Sequence, residues 1–440
     1  MINPNQLSPV PLVIDLDGPL IKSDLLLETV NWFIGRHPLQ IFRLMRWLAS
    51  GKNILQRKLA EVCEIDAAAL PYNQAVIAWL REQKNQGRQL ILATTGHRRL
   101  ADAVARHLGL FDAVLENDDA NNASEIARIR LPDNLGQNLD DGCSPVVQAA
   151  FKALRPHQWL KNLLVLVPLF AAHRYGERTS VLQALMAFVV FSMTASSVYL
   201  LNDLVDVTDD RHHPRKRFRP FAAGDLSLLH GWLAWPMLLI LAFIVAGHAL
   251  PMSFIGVLAS YFAMTLTYSL RLKQTPILDV LILASLYTLR IIAGAAAITV
   301  PPSFWLLLFS MFIFLSLAFI KRFSEIKFYR DAGGRGLLRG RGYHHEDLDV
   351  VANLGTSAGY LAVLVLALYV QDSRTVELYR SPRFIWLACP LLLFWISRAW
   401  LIAHRGQMHD DPIVFALQDR ISWLIGICFI AAFGLARMLT

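Results

Sequence analysis

From about residue 155 to the C-terminus the chain is a succession of apolar runs separated by short charged loops. A hydrocarbon core of about 30 Å needs about 20 apolar residues in a helix. Nine segments approach that length: 159–173, 180–201, 228–248, 253–270, 276–298, 303–320, 350–371, 383–403 and 419–438. The first is short and contains Pro168, so it is the least regular of them. A helix apolar on all sides must be buried in a large core or in lipid. Nine in a row leave lipid as the solvent. Composition agrees, with 55% hydrophobic residues and 17% charged against about 25% in an ordinary soluble domain.

Charge distribution orients the bundle. The net charge is +8. In a soluble protein that excess would suggest a nucleic-acid partner, but here the cations sit between apolar runs, so no nucleic-acid partner is expected. Arg211, Arg215, Lys216, Arg217 and Arg219 follow the second run, Arg271 and Lys273 the fourth, and Lys321 to Arg341 the sixth. The loops after the third and fifth runs carry none. This alternation is the positive-inside pattern for a cytoplasmic N-terminus. Arg174 and Arg380 fit it less well, and nine spans would leave the C-terminus outside. The N-terminus, Met1 to Pro11, has no basic stretch ahead of an apolar one, so no signal peptide is expected. Cys63, Cys143, Cys389 and Cys428 are widely spaced, without zinc or disulfide patterning.

The loop after the second run carries the chemistry. Asn202, Asp206 and Asp210 recur at i, i+4 and i+8, with Asp203 beside them. On a helix that spacing stacks them on one face, where like charges repel. A divalent cation would resolve the conflict, and Mg²⁺ favours carboxylates, water and substrate phosphates. Lys216, Arg217 and Arg219 follow, a set suited to diphosphate oxygens. Beyond the fourth run lie Tyr268, Lys273 and Asp279. Asp279 falls within the fifth run, where a lone carboxylate is costly and functional by default, with Lys273, Arg271 or a shared Mg²⁺ as its partner. Arg290 lies about three turns further on; it either lines a cavity or pairs near Asp279. Trp159 reads as an interface anchor, Lys161 and Asn162 as cavity-facing or, for the lysine, snorkelling. Asp419 and Arg420 read as a local ion pair.

Asn202-Asp203-x-x-Asp206-x-x-x-Asp210, the cationic tail and the span count resemble the UbiA superfamily of intramembrane prenyltransferases, over about residues 153–440. The resemblance implies an isoprenoid diphosphate bound through Mg²⁺ by two aspartate-rich motifs, and transfer of the prenyl group to an acceptor. The second motif departs from the family: a second D-x-x-x-D pair is absent, and Asp279 stands with Lys273 instead. With Arg155-Pro-x-Gln-Trp-x-Lys161-Asn162 and Asp411-Pro412 to Asp419-Arg420, the chain looks more like the decaprenyl-phosphate phosphoribosyltransferase branch. That branch implies phosphoribosyl pyrophosphate (PRPP) as donor and a polyprenyl phosphate as nucleophile. Asn202, Asp203, Asp206 and Asp210 would hold the metal, with Asp206, Asp210, Asp279 and Lys273 as the catalytic set. Lys161, Asn162, Asn202, Lys216, Arg217, Arg219, Tyr268 and Arg290 would bind substrate. Prenyl transfer to an aromatic or other acceptor stays open, as does a non-catalytic lipid-phosphate carrier. A homo-oligomer is possible on either reading.

Residues 1–150 read as a separate soluble domain. Val13 to Leu20 is an apolar strand ending in Asp15 and Asp17, which share a face. Leu90 to Thr94 is a second buried strand, followed by a helix. This resembles the haloacid-dehalogenase phosphatase fold, which would make Asp15 the nucleophile, Asp17 the acid/base and Thr94 or Thr95 a phosphate contact. Such a site also needs a lysine, and none occurs between Leu115 and Lys152. The expected fold is therefore an all-α multi-span membrane bundle, residues 151–440, preceded by a small soluble α/β (Rossmann-like) domain that is incomplete as a phosphatase. The expected location is the plasma (inner) membrane, with the N-terminal domain and the active-site loops cytoplasmic.

Overall fold

The computed structural model describes residues 11–94, 96–116, 143–213, 215–338, 341–372, 379, 381–408 and 411–438. Two compact units make up the chain: residues 1–156 with 196–239, and residues 157–195 with 240–440.

The first unit begins with strand β1 (Leu12–Asp15) and helices α1 (Leu25–Arg36), α2 (Ile41–Ala49), α3 (Lys52–Val62) and α4 (Gln74–Asn85). Strand β2 (Leu90–Thr94), α5 (Arg98–Leu108), β3 (Ala113–Glu116) and α6 (Cys143–Ala153) follow. The strands pair in parallel in the order β1-β2-β3, with Asp15 opposite Ala93. Local chemistry sets the helix ends. Asp24 accepts from the amides of Leu26 and Leu27 to start α1, and Asn73 does the same for α4. Gly109, at φ 62°, closes α5 in the left-handed conformation that glycine tolerates. Leu12, Ile14, Leu80, Leu90, Leu92 and Val104 form the core around the sheet.

The apolar portion supplies α7 (Val167–Ala171), α8 (Arg178–Val205), α9 (Val207–His212), α10 (Pro220–Ala223), α11 (Leu228–Ala249), α12 (Met252–Leu270) and α13 (Leu278–Ala297). It ends with α14 (Phe304–Asp331), α15 (Leu348–Gln371), α16 (Ala388–His404), α17 (Pro412–Gln418) and α18 (Arg420–Met438). Among the described residues eight helices are long and apolar enough to cross a membrane, the shortest of them 18 residues. The chain is an integral membrane protein.

The run expected as a first span at 159–173 takes a different form. Residues Pro156–Leu166 wind as a 3₁₀ helix, and only the five residues of α7 are α-helical. Pro168 in the first turn of α7 is the physical reason: its ring would clash with the carbonyl one turn back in a continuous α-helix. At about 2.0 Å rise per residue for the 3₁₀ part and about 1.5 Å for α7, the contour is still about 30 Å.

Candidate active site

The aspartate row lies in the first unit. α8 stops at Val205, and Asp206 (φ −89°, ψ 8°) caps α9. The single continuous helix face expected from the spacing is thus broken at Asp206. Carboxylates at the C-terminal end of α8 face the negative end of its dipole; restarting the helix gives Asp209 and Asp210 the favourable first turn of α9. The stacking order survives, because the Asp206 amide bonds to the Asn202 carbonyl (2.9 Å) and the Asp210 amide to the Asp206 carbonyl (2.8 Å).

Arginines neutralise two of these acids. Arg219 Nη1 donates to Asp210 Oδ2 (2.5 Å) and to Asp203 Oδ1 (3.2 Å). Arg155 pairs with the same Asp203 oxygen and lies over the Tyr199 ring. Asp203 and Asp210 are each 2% exposed. Burial lifts the Asp210 carboxyl to about 6, against the opposing pull of Arg219. Asp203 Oδ2 is buried with no hydrogen-bond partner. A buried carboxylate oxygen left without a donor is expensive, and a cation is the simplest group to satisfy it. With Asn202, Asp206 and Asp210 alongside, the donor set is all oxygen, which suits Mg²⁺. Lys216 and Arg217 are exposed on the turn Lys216–Phe218, and Lys216 lies near enough to Asp210 to add to the pull of Arg219 on its carboxyl. Arg211 instead turns to Glu28 on α1 (2.7 and 3.0 Å).

A second cluster lies in the second unit. Asp279, in the first turn of α13, is fully buried. Its partners are Arg322 of α14 and Tyr343, whose hydroxyl donates to Asp279 Oδ1 (2.8 Å). The sequence reading placed Lys273, Arg271 or Mg²⁺ there; a buried guanidinium with fixed geometry suits a dry site better than a flexible lysine. The Tyr343 hydroxyl also accepts from the Ile277 amide (2.7 Å), and Ile277 holds φ 67°, a costly value for a β-branched residue. Arg322 also pairs with Glu325, which lies 3.6 Å from Arg341 Nε, and Arg341 donates to the Tyr268 hydroxyl (3.0 Å). Lys273 is half-buried on the turn Leu272–Gln274.

Arg290 does not join Asp279. Its guanidinium bonds to Asn162 Oδ1, the Leu286 carbonyl and the Tyr261 hydroxyl, among the rings of Phe191, Tyr261 and Tyr287. Lys161 is buried and paired with Asp411, so it does not snorkel. Lys161 and Lys321 overcome the cost of burial and hold the Asp411 carboxyl below its ordinary value. Asp419 pairs with Arg398 (2.7 and 2.9 Å) rather than Arg420, because it also caps α18 by accepting from the Ser422 amide.

In the N-terminal unit Asp15 is exposed at the end of β1, and Asp17 accepts from the Leu25 amide (2.9 Å). Thr94 is buried and accepts from the Gly96 amide (3.0 Å); Thr95 lies outside the described residues. A small cleft beside them is lined by Asp17, Lys52, Gly96 and His97.

Sequence reasoning missed Glu28, Arg322, Glu325 and Tyr343. Arg322 was counted only among loop cations, although it stands three residues before an acid, Glu325, at the end of an apolar run. Glu28 and Tyr343 carry no local signal.

The eight helices that, among the described residues, are long and apolar enough to span a membrane, together with the buried aspartate–arginine clusters, define a helical membrane protein with charged sites at the ends of its spans. The chain belongs to the UbiA prenyltransferase family, whose model matches residues 163–425. An uncharacterised protein, y4nM, from Sinorhizobium fredii is 32% identical over 97% of this chain and 91% of its own length. Decaprenyl-phosphate phosphoribosyltransferase from Mycobacterium tuberculosis is 34% identical, over 66% of this chain and 95% of its own. A UbiA homologue from Archaeoglobus fulgidus, solved with GPP and Mg²⁺, shares the fold: TM-score 0.50, 18% identity, 65% of this chain and 99% of that one.

Proposed function

We propose that the chain transfers 5-phosphoribose from PRPP to a polyprenyl phosphate, with release of pyrophosphate. The observation that carries this reading is the second cluster. Where a prenyl-diphosphate site of the usual family pattern has a second pair of aspartates, Asp279 stands with a guanidinium and a phenol. The 34% identity to a decaprenyl-phosphate phosphoribosyltransferase supports it.

Asn202, Asp203, Asp206 and Asp210 would hold Mg²⁺, whose positive charge would offset that of the departing pyrophosphate. Arg219 bridges Asp203 and Asp210 and Arg155 pairs with Asp203, and both would exchange those contacts for phosphate oxygens. Tyr268, Lys273, Asp279 and Arg341 would bind the donor. The acceptor's phosphate oxygen attacks the anomeric carbon as its bond to pyrophosphate breaks. That oxygen is already ionised, so no side chain has to remove a proton, and catalysis rests on positioning and electrostatics. Lys161, Asn162 and Arg290 are engaged with protein partners and would shape the site rather than bind the donor directly.

The N-terminal unit reads as a support for the aspartate segment rather than as a phosphatase, since Asp17 is engaged at the start of α1. Hydrolysis of a phosphoribosyl lipid by the wild-type protein, lost in Asp15→Asn, would overturn that part. We place the protein in the plasma membrane, with the N-terminal unit and aspartate loop cytoplasmic, on the distribution of cations.

The test offers labelled PRPP and labelled polyprenyl diphosphate in parallel to the detergent-purified protein with Mg²⁺. Polyprenyl phosphate and an aromatic acid serve as acceptors. Lipid-extractable label from PRPP is the expected result. Label passing from the prenyl diphosphate to the aromatic acid would establish prenyl transfer instead, and binding without turnover would establish a carrier.

A further inference from the structure

Helix α2 carries more apolar surface than its packing uses. Leu44 and Trp47 turn inward against the cluster of Phe33, Leu55 and Leu59. Ile41, Phe42, Met45 and Leu48 point outward, and Phe42 is 79% exposed, Met45 and Leu48 each 61%. At about 100° per residue these four fill a continuous arc of about 120°. Arg46, exposed, borders that arc beyond Phe42, and Arg43, also exposed, stands on the opposite face over the Trp47 ring. A water-facing helix would show polar residues where these stand.

The preceding helix fixes the level at which α2 stands. α1 is fastened to the ends of two spanning helices in the same unit. Asn31 Nδ2 donates to the Leu204 carbonyl in the last turn of α8 (2.8 Å). Trp232 Nε1, near the start of α11, donates to Asn31 Oδ1 (3.0 Å). Gly35 lies against the Val205 carbonyl, leaving 3.5 Å even for a methyl group. Tryptophans at the ends of spans mark the membrane–water interface. The chain has only the 3₁₀ turn Pro38–Gln40 between α1 and α2 in which to leave that level.

We propose that α2 lies in the bilayer interface, with Ile41, Phe42, Met45 and Leu48 at the boundary of the acyl chains and Arg46 against anionic headgroup phosphates. An apolar arc flanked by an arginine, with a second arginine on the opposite, polar face, is the pattern of an interfacial helix on an acidic lipid surface. The N-terminal unit would then touch the membrane at a site outside the spanning helices. The proposal does not depend on which donor the protein uses.

The test uses the full-length protein in vesicles of phosphatidylcholine and phosphatidylglycerol. A fluorescent NBD label is placed at Phe42→Cys or Leu48→Cys, with Arg57→Cys on the exposed face of α3 as control. Labelling of the parent chain gives the background from native cysteines. Emission at positions 42 and 48 should shift to the blue, and lipids carrying a nitroxide near the headgroup should quench it several-fold more than at 57. Emission as water-like at 42 and 48 as at 57 would overturn the proposal. So would a blue shift without nitroxide quenching, which would mean that protein, such as a second copy of the chain, covers the face.

Discussion

Glu28 and Arg211 form a two-stranded ion pair, Nη1 to Oε2 at 3.0 Å and Nη2 to Oε1 at 2.7 Å, with both side chains more than nine-tenths buried. Arg211 directly follows Asp210, and Glu28 belongs to the N-terminal unit's first helix. The relative with decaprenyl-phosphate phosphoribosyltransferase activity aligns with only 66% of this chain, whereas y4nM aligns with 97%. The pair ties the first helix of the chain to the segment that would hold the metal.

Removing one member of a buried pair strands the other, at a cost of about 3–5 kcal/mol. Glu28→Gln should lower the thermal midpoint of the detergent-solubilised protein and reduce turnover. Combining Glu28→Arg with Arg211→Glu should recover part of both. A Glu28→Gln protein with unchanged midpoint and activity would mean that the pair contributes nothing.

Asp206 is half-exposed at the junction of α8 and α9, so Asp206→Asn is tolerated by the fold. Turnover should nevertheless vanish, because a neutral amide cannot replace a metal-binding carboxylate. Normal helicity and melting with activity retained would mean that the metal site lies elsewhere.

Mg²⁺ binding should depend on pH through Asp210. Its carboxyl is raised to about 6 by burial, so below that value the site is protonated and the metal must displace the proton. The sign for stability is the reverse of an ordinary paired acid. A raised carboxyl is favoured when protonated, so its contribution is present at acid pH and is lost as pH climbs through about 6. Mg²⁺ titrations should show tighter binding at pH 7.5 than at pH 5.5, about fourfold if one proton is displaced from a carboxyl at about 6. Equal affinity at both would remove Asp210 from the ligand set.

The loop around Gly342 holds the second cluster. Gly342 has φ 71°, and a methyl group there would lie 2.2 Å from the Gln274 carbonyl oxygen. Gly342→Ala should push the Tyr343 hydroxyl off Ile277 and Asp279. Tyr343→Phe should remove the same two hydrogen bonds with no steric effect, costing about 1–3 kcal/mol. Both should raise the KM for the donor more than they lower kcat; an unchanged KM in Tyr343→Phe would show that the loop does not position the donor site.

The membrane bundle was legible because lipid imposes a length and a composition that a run of residues either meets or does not. The aspartate row was legible for a related reason: regularly spaced acids at the end of an apolar helix have no structural benefit. What the sequence hid were partners brought in from a distance. Arg322 sits 43 residues beyond Asp279 and Glu28 lies 183 before Arg211, and no local pattern links either pair. The break at Asp206 was hidden because spacing of four reads the same on one helix or on two joined by a single residue. The form of 156–171 was hidden because hydropathy reports burial and is silent on winding.

Gly294 on α13 leaves no room for a side chain, since a methyl group there would fall 1.9 Å from the Val165 carbonyl oxygen of the 3₁₀ segment. That segment precedes the helix it rests on by several spanning helices of the chain. The seat for it is complete only once α13 is in place, so this early stretch of chain takes its final packing only after much later residues have taken theirs.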